Sequence, residues 1–175
     1  MVALTSDLFL SQPLVNIFIL DQDPQKAAQY HCDQHVVKMI LESAQMLCTT
    51  LHLMGKRAPY RKTHEKHPCV LWLLESLHNW FFLKTLAEEL NREFLYRYER
   101  EVDHASWSAI KELLPPPLPQ RERTPFVQAM PPQYRRQDPV SAYRLYYVAE
   151  KPFAQWKRRR EIPDWYIQAK REANP

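Results

Sequence analysis

A chain of 175 residues that is 45% hydrophobic and 25% charged is long enough to fold as one domain around a sizeable core. Its single glycine argues against an all-β fold, because tight hairpin turns usually need positive φ angles. The net charge of +4 permits a polyanionic partner without requiring one.

The cysteine count and the hydropathy pattern indicate the compartment. Three cysteines form no disulfide framework, and their odd number suits a reducing environment. No segment is long and apolar enough to span a bilayer. Residues 1–20 lack a basic start and contain Pro13, so we do not expect a signal peptide. We therefore predict a cytoplasmic protein that does not contact a membrane, and we leave its oligomeric state open.

Residues 23–55 have the pattern of one long helix. Asp23 can cap the first turn, and Pro24 suits the first helical position. Gly55 suits the left-handed cap at the end. At about 100° per residue, one side of this helix is broadly apolar. The opposite side carries a polar row formed by His31, His35, Lys38, Glu42, Gln45 and Thr49. The row is either a solvated face or the lining of a site.

The remaining elements follow from apolar periodicity and from the prolines. Residues 14–20 form either a lone buried strand or an extended segment. Further helices are predicted at 68–102 with a bend at 76–79, at 107–114, and at 140–160 with a kink at Pro152.

The predicted fold is a mainly α, single-domain helical bundle with a short extended N-terminal segment and proline-rich connectors. We assign residues 1–14 to an N-terminal arm and residues 15–160 to the helical domain. Residues 161–175 form a C-terminal tail in this prediction.

A second polar cluster contains His64 and His67, just before a predicted helix. Together with His31 and His35, these histidines could hold a transition metal in a metal-dependent nucleic-acid or nucleotide enzyme. Their spacing matches no standard metal motif, so the main prediction includes no metal and no cofactor. Two other interpretations stay open, an imidazole that caps the following helix and a basic loop that contacts phosphate.

Basic and aromatic residues alternate at several places in the chain. Cations can neutralise phosphates, and rings can stack on exposed bases. The predicted nucleic-acid contacts are Arg61, Lys62, Arg97, Tyr98, Arg144, Arg158 and Arg159. A non-catalytic helical protein that binds nucleic acid or another partner is the alternative, since solvent-facing arginines and interior tyrosines give the same pattern.

The run Asp33-Gln34-His35, followed by Glu42, resembles the first-helix motif of the phage pyrimidine-dimer DNA glycosylases. Those proteins are small all-helical base-excision enzymes with AP-lyase activity. The resemblance implies that Glu42 is the glutamate that assists cleavage of the glycosyl bond, with His35 before it on the same face. It continues through the loop at 64–68 and the long helix after it.

A second resemblance covers most of residues 15–157. The segments NIFILD, CDQHVVKMILE, HPC and TPFVQAMP are similar to segments shared by a group of phage and bacterial proteins. This resemblance implies no particular chemistry.

The glycosylases use the α-amine of a processed N-terminus to form an imine with the sugar. Fifteen residues precede the matching Asn16 segment here, so that amine exists only if Val15 or Asn16 becomes the N-terminus. Lys38, one turn before Glu42, is the alternative nucleophile. Glu42 beside it favours the charged ammonium, which opposes that role.

The main prediction is a base-excision enzyme that acts on a modified or damaged base in nucleic acid. DNA is the expected nucleic-acid partner. Its predicted catalytic residues are Glu42, His35, Lys38, His64 and His67. Glu42 is expected to act as general acid or base or to stabilise positive charge on the sugar. His35 is expected to orient it or relay a proton. A target base inside a duplex must be extruded before it can react.

Overall fold

The computed structural model describes residues 16–173. Within this range the chain is helical and contains no strand, which confirms the mainly α prediction. The helices are α1 Pro24–Tyr30, α2 Asp33–Leu53, α3 Pro68–Glu75, α4 Leu77–Arg97, α5 Ala105–Ile110, α6 Pro139–Glu150 and α7 Asp164–Ala173, with a 3-10 turn at Pro132–Tyr134. The predicted N-terminal arm, residues 1–14, lies outside the described residues.

Helices α2 and α4 form the centre of the fold and make its most extensive helix–helix contact. Helix α1 packs on α4, α5 packs on α2, and α7 packs on α6. One continuous core joins these layers, and it includes the fully buried Leu47, Leu83 and Leu90. Burying each of these leucines contributes roughly 2 kcal/mol.

Three helices begin where a capping side chain precedes a proline. Asp23 accepts hydrogen bonds from the first amides of α1, and Asp138 does the same for α6. His67 Nδ1 accepts from the Cys69 amide at 3.1 Å, so its imidazole caps α3. Each of these starts lies at or next to the start of a predicted helix, because each depends on residues adjacent in the sequence.

The prediction of one helix across residues 23–55 is wrong, because the chain breaks into α1 and α2 at His31 and Cys32. Both residues have extended backbones, with ψ angles of 138° and 161°. The Cys32 amide donates to the Tyr147 hydroxyl at 3.0 Å instead of to the preceding helical turn. A partner from α6 therefore stabilises the break.

The second long helix bends where the sequence predicts it. α3 ends at Glu75, and Ser76 adopts an extended backbone and caps α4 through its hydroxyl. The following short helix lies at Ala105–Ile110 rather than at 107–114. The His104 side chain caps the start of this helix, because its Nδ1 accepts a hydrogen bond from the Ser106 amide.

The predicted helix at 140–160 is also wrong at its end. α6 stops at Glu150, because Pro152 disfavours a helical conformation at Lys151, whose φ and ψ are −119° and 64°. Part of the predicted tail instead forms α7, and Tyr166 packs against Trp156 with ring centroids 4.8 Å apart. The C-terminal residues 161–173 therefore belong to the packed structure.

The segment from Asn16 to Leu20 is buried but pairs with no strand in the described range. Of the two predicted alternatives, a lone buried strand or an extended segment, the structure therefore shows the extended segment. All three cysteines are buried and free. None of the helices between residues 16 and 173 combines the length and hydropathy needed to cross a bilayer.

Candidate functional site

Most of the polar row on α2 faces the protein interior. His35 is 3% exposed, Glu42 is 5% exposed and Thr49 is fully buried. Lys38 differs, because 58% of its side chain is exposed. His31 is buried too, but it lies in the break before α2 and not on that helix. The buried members of the row are therefore not a solvated face.

Glu42 is the centre of this site. Its Oε2 accepts a hydrogen bond from the Asn16 backbone nitrogen at 2.8 Å, and its Oε1 lies 3.3 Å from Lys38 Nζ. Burial raises the pKa of Glu42, while Lys38 and the Asn16 amide oppose that shift. A carboxyl group with a raised pKa keeps its proton closer to neutral pH, which suits general acid–base chemistry.

The side chain of Asn16 is held by several buried groups. Its Nδ2 donates to the Ala129 carbonyl at 3.0 Å, and its Oδ1 accepts from the Ile17 amide at 2.8 Å. The same oxygen lies 3.5 Å from the Tyr143 hydroxyl and 3.6 Å from Cys69 Sγ. These contacts fix the backbone nitrogen of Asn16 against the carboxylate.

Lys151 brings a second amine to the site. Its Nζ lies 5.5 Å from the ring centroid of Phe18 and 5.0 Å from that of Tyr146. Within residues 16–173 it forms no ion pair with a carboxylate. Burial lowers the pKa of Lys151, and the nearby Lys38 lowers it further, while Glu150 and other groups oppose the shift. The amine is therefore less strongly held in its charged form than an exposed lysine.

The His35 imidazole is buried among aromatic rings. It stacks on Phe18 with centroids 4.9 Å apart, and Phe153 meets its edge at 5.4 Å. Burial lowers the pKa of His35 to about 2, with His31 and the nearby lysines adding to the shift. Its Nδ1 has no hydrogen-bond partner among the described residues. His35 is consequently a neutral ring at physiological pH.

The other predicted histidines are not gathered around Glu42. His64 is exposed, has a φ of 48°, and its Nδ1 lies 2.7 Å from the Thr63 hydroxyl. His67 caps α3, which is one of the two open interpretations. Between residues 16 and 173, no three histidine, cysteine or acidic side chains are placed to hold one metal ion. The histidines of the metal alternative therefore do not converge.

The predicted contact between Arg97 and nucleic acid does not fit the structure. Arg97 is 2% exposed, and its guanidinium pairs with Glu93 at 2.8 Å and Asp33 at 3.1 Å. The carbonyls of Gln29 and His31 accept its remaining hydrogen bonds at 2.8 Å each. Four of its five N–H donors are used inside the protein, and its fully buried side chain cannot reach a phosphate at the surface.

Arg144 is also used inside the protein. Its Nε donates to the Leu20 carbonyl at 2.8 Å, and its guanidinium lies 5.3 Å from the Tyr30 ring and 5.1 Å from the Trp165 ring. This half-buried position joins the N-terminal segment to α1 and α7. Arg144 is therefore held by contacts within the protein, although it was predicted to contact nucleic acid.

The remaining predicted nucleic-acid contacts stay nearer the surface. Arg61, Lys62, Arg158 and Arg159 are exposed. Tyr98 is half-buried, donates to the Asp33 carbonyl at 2.8 Å and carries Arg158 over its ring. The cations that remain accessible therefore belong to the loop after α2 and to the segment after α6.

Two groups of the site were missed from the sequence. The Asn16 segment was recognised only as a shared motif, and the role of its backbone nitrogen has no sequence signal. Lys151 lies directly before Pro152, which ends α6, but no local spacing connects it with the α2 row. Only the packing of α6 and the N-terminal segment onto α2 brings these groups together.

Comparison of the chain with protein-family models, with curated proteins and with solved structures finds no match.

Proposed function

We propose that this protein is a base-excision enzyme that cleaves the N-glycosidic bond of a modified or damaged base in nucleic acid. The observation that carries the proposal is the 2.8 Å hydrogen bond from the Asn16 backbone nitrogen to Glu42 Oε2. The resemblance to the pyrimidine-dimer glycosylases implies that a glutamate and an α-amine act on the same sugar. Here Glu42, which corresponds to that glutamate, contacts the backbone nitrogen of Asn16, which begins the segment that corresponds to the glycosylase N-terminus.

Glu42 suits the electrostatics of glycosyl-bond cleavage. Positive charge develops on the sugar as the base departs, and a buried carboxylate stabilises it more strongly than an exposed one. Burial also raises the pKa of Glu42, so a fraction of the enzyme carries the protonated acid, which can donate to the leaving group. One residue can thus assist both halves of the bond cleavage.

The aromatic groups around His35, on the same helix as Glu42, suit a nucleotide that is turned out of its stack. Phe153 is 40% exposed and lies edge-on to His35, which in turn stacks on Phe18. An extruded base gains stacking on such a surface. We assign Phe153 to that contact, since it is the accessible ring of the three.

The test uses oligonucleotides that carry either a pyrimidine dimer or an abasic site. Base release, measured as cleavage of the glycosidic bond in the dimer oligonucleotide, and borohydride-trapped adducts are followed for the full chain, for Glu42→Gln, and for the matched control Glu112→Gln at an exposed position. Glutamine keeps the shape of Glu42 and an acceptor for the Asn16 amide, but it carries no charge and donates no carboxyl proton. We expect Glu42→Gln to abolish base release and Glu112→Gln to retain it.

A shortened chain that begins at Asn16 tests the geometry directly. Its first residue would carry an α-amine where the 2.8 Å amide contact to Glu42 now lies. We expect this chain to form a trapped adduct at its N-terminal amine with the abasic oligonucleotide. Base release that persists in Glu42→Gln, or no release from any of the substrates, would overturn the proposed function.

A further inference from the structure

One face of α2 is open to solvent over most of its length. Its members recur at intervals of three or four residues and are Gln34, Lys38, Leu41 and the half-buried Gln45. We call these four residues the exposed stripe. The two acidic residues of α2, Asp33 and Glu42, are both buried. The exposed stripe therefore presents one cation and no carboxylate.

The loop after α2 folds back onto the continuation of this face. At about 100° per residue, Thr49 and His52 lie on the same side of α2 as Gln34. The Thr49 hydroxyl donates to the Thr63 carbonyl at 3.0 Å, and His52 Nε2 lies 2.8 Å from the Tyr60 carbonyl. The loop is thus anchored at the far end of the exposed stripe.

Two exposed cations, Arg61 and Lys62, lie between these anchors, and we call them the loop pair. Arg61 forms no ion pair among the described residues. Lys62 pairs with Glu65 at 2.6 Å, but half of its side chain is exposed. Exposed ion pairs contribute only about 0–1 kcal/mol, so a phosphate can replace Glu65 at little cost.

The segment after α6 crosses the other end of the same face. Phe153 packs on the edge of the His35 ring, and the Lys157 amide donates to Asp33 Oδ2 at 2.7 Å. His35 and Asp33 flank Gln34 on the two sides of the helix. The segment therefore passes the start of the exposed stripe.

This segment carries two more exposed cations, Lys157 and Arg158, which we call the start pair. Neither forms an ion pair with a carboxylate between residues 16 and 173. The Arg158 guanidinium lies 4.5 Å from the Tyr98 ring, and the Tyr98 hydroxyl donates to the Asp33 carbonyl at 2.8 Å. These contacts hold Arg158 at the beginning of α2. Each end of the exposed stripe thus has its own pair of cations.

The rise of α2 sets the spacing of the two pairs. From Asp33 to Thr49 the helix advances roughly 24 Å along its axis, at about 1.5 Å per residue. Glu42 lies between them, roughly 14 Å from Asp33 and roughly 10 Å from Thr49. The base pairs of a duplex are about 3.4 Å apart, so the spacing corresponds to roughly 7 base pairs. Glu42 is therefore near the middle of a duplex that reaches both pairs.

We infer that duplex nucleic acid lies along the exposed stripe of α2 and that its phosphates are held at both ends, by the start pair and the loop pair. This inference rests on the proposed function for the choice of nucleic acid among polyanions. The charge pattern supports it, because a polyanion meets cations at both ends and no exposed carboxylate on the stripe between them. A single strand fits less well, since the exposed stripe has no aromatic side chain on which successive unstacked bases stack.

The experiment measures whether one duplex contacts both pairs. Fluorescence anisotropy follows the full chain binding to labelled DNA hairpins with stems of about 5 and about 14 base pairs, which span roughly 17 and 48 Å. One variant carries Lys157→Ala with Arg158→Ala, and another carries Arg61→Ala with Lys62→Ala. With the longer stem, each variant is expected to lower the slope of log affinity against log salt by about 2, and their combination by about 4.

The shorter stem supplies the test of length. It contacts one pair at a time and can use the pair that remains, so each variant is expected to change its slope less than with the longer stem. Lys26→Ala with Arg171→Ala removes the same charge at exposed positions away from α2 and is expected to leave both slopes unchanged. Unchanged melting temperatures show that all the variants are folded.

The outcomes separate this inference from the proposed function. A slope that depends on only one pair or on neither, or tighter binding of a thymidine single strand than of the longer hairpin, overturns the two-ended duplex contact. Base release that requires Glu42 leaves base excision standing in that case. A slope that depends on both pairs, without base release from any substrate, supports the duplex contact and overturns the proposed function.

Discussion

Arg97 Nη1 lies 3.1 Å from Asp33 Oδ1, and this ion pair joins the end of α4 to the start of α2. The same guanidinium donates to the carbonyls of Gln29 and His31 at the end of α1. Those carbonyls would otherwise lack partners, because the helix that could satisfy them ends there. Arg97 therefore stabilises the break that separates α1 from α2 and sets the direction of the helix carrying Glu42.

The first prediction concerns this arginine. We expect Arg97→Met to lower the free energy of unfolding by about 3–5 kcal/mol, because it removes the ion-pair partner of the buried Asp33 and one of the two arginines that pair with the buried Glu93. Urea denaturation measures the change. Lysine at this position is expected to recover only part of the loss, because it offers a point charge in place of a planar fork.

Arg92 provides the matched control on the same helix. It is exposed and pairs with Glu88 at 2.8 Å and Glu89 at 2.7 Å. Exposed pairs contribute about 0–1 kcal/mol, so Arg92→Met is expected to have a small effect. Equal losses for the two variants would show that burial of the Arg97 pairs adds nothing to stability.

The second prediction is a loss of stability below neutral pH. Burial lowers the pKa of His31 from 6.5 to about 4 and that of His35 from 6.5 to about 2. The unfolded chain therefore binds these protons at higher pH than the folded chain does. The stability that the neutral rings contribute is present above pH 6.5 and falls as the pH drops, by about 3 kcal/mol for both rings between pH 6.5 and pH 5.

Melting temperatures between pH 5 and pH 7 test this prediction. His31→Gln removes one of the two buried rings, so the variant is expected to lose less stability across this range, whatever its stability at pH 7. His78→Gln, at an exposed position, is expected to keep the slope of the unmodified protein. A slope that His31→Gln leaves unchanged would show that His31 does not contribute to it.

The third prediction concerns Gly55 after α2. Its φ of 72° is in the left-handed region, and no atom lies within 4 Å of the place where a Cβ would be. Gly55→Ala is therefore expected to cost about 1 kcal/mol through backbone strain alone. Asparagine tolerates this conformation better, so Gly55→Asn is expected to cost less than alanine in thermal unfolding. Equal costs would indicate a cause other than the backbone angle.

The fourth prediction tests the exposed basic loop after α2. If the protein binds duplex DNA through this loop, the variant with Arg61→Ala and Lys62→Ala is expected to weaken binding and to lower the slope of log affinity against log salt by about 2. Fluorescence anisotropy at several salt concentrations measures the slope. Arg92→Ala with Arg171→Ala removes the same charge elsewhere and is expected to change the slope less.

Local sequence signals predicted the helix boundaries that depend on adjacent residues. The caps at Asp23 and Asp138 need only their own amides and the proline that follows. The bend at Ser76 is equally local, since its hydroxyl accepts from the His78 amide. The break at Cys32 was missed because its hydrogen-bond partner, Tyr147, is far away in the sequence.

The polar row on α2 also depends partly on local signals and partly on contacts between distant segments. Its residues share one face at helical spacing, which the sequence determined through the 3.6-residue period. Whether that face meets water depends on what packs against it, and here Phe18, Tyr147 of α6 and Phe153 after α6 cover His35. Arg97 is the opposite case. It was predicted to be an exposed contact for nucleic acid, but the structure buries it in an ion pair with Asp33.

By itself, the sequence determined the mainly α class and the start of three helices, because these follow from composition, capping and periodicity. The tertiary structure decided that Glu42 is buried and that the Asn16 nitrogen contacts it at 2.8 Å. Burial and long-range contacts set the charge state and reactivity of a side chain, and both arise only when distant segments pack together.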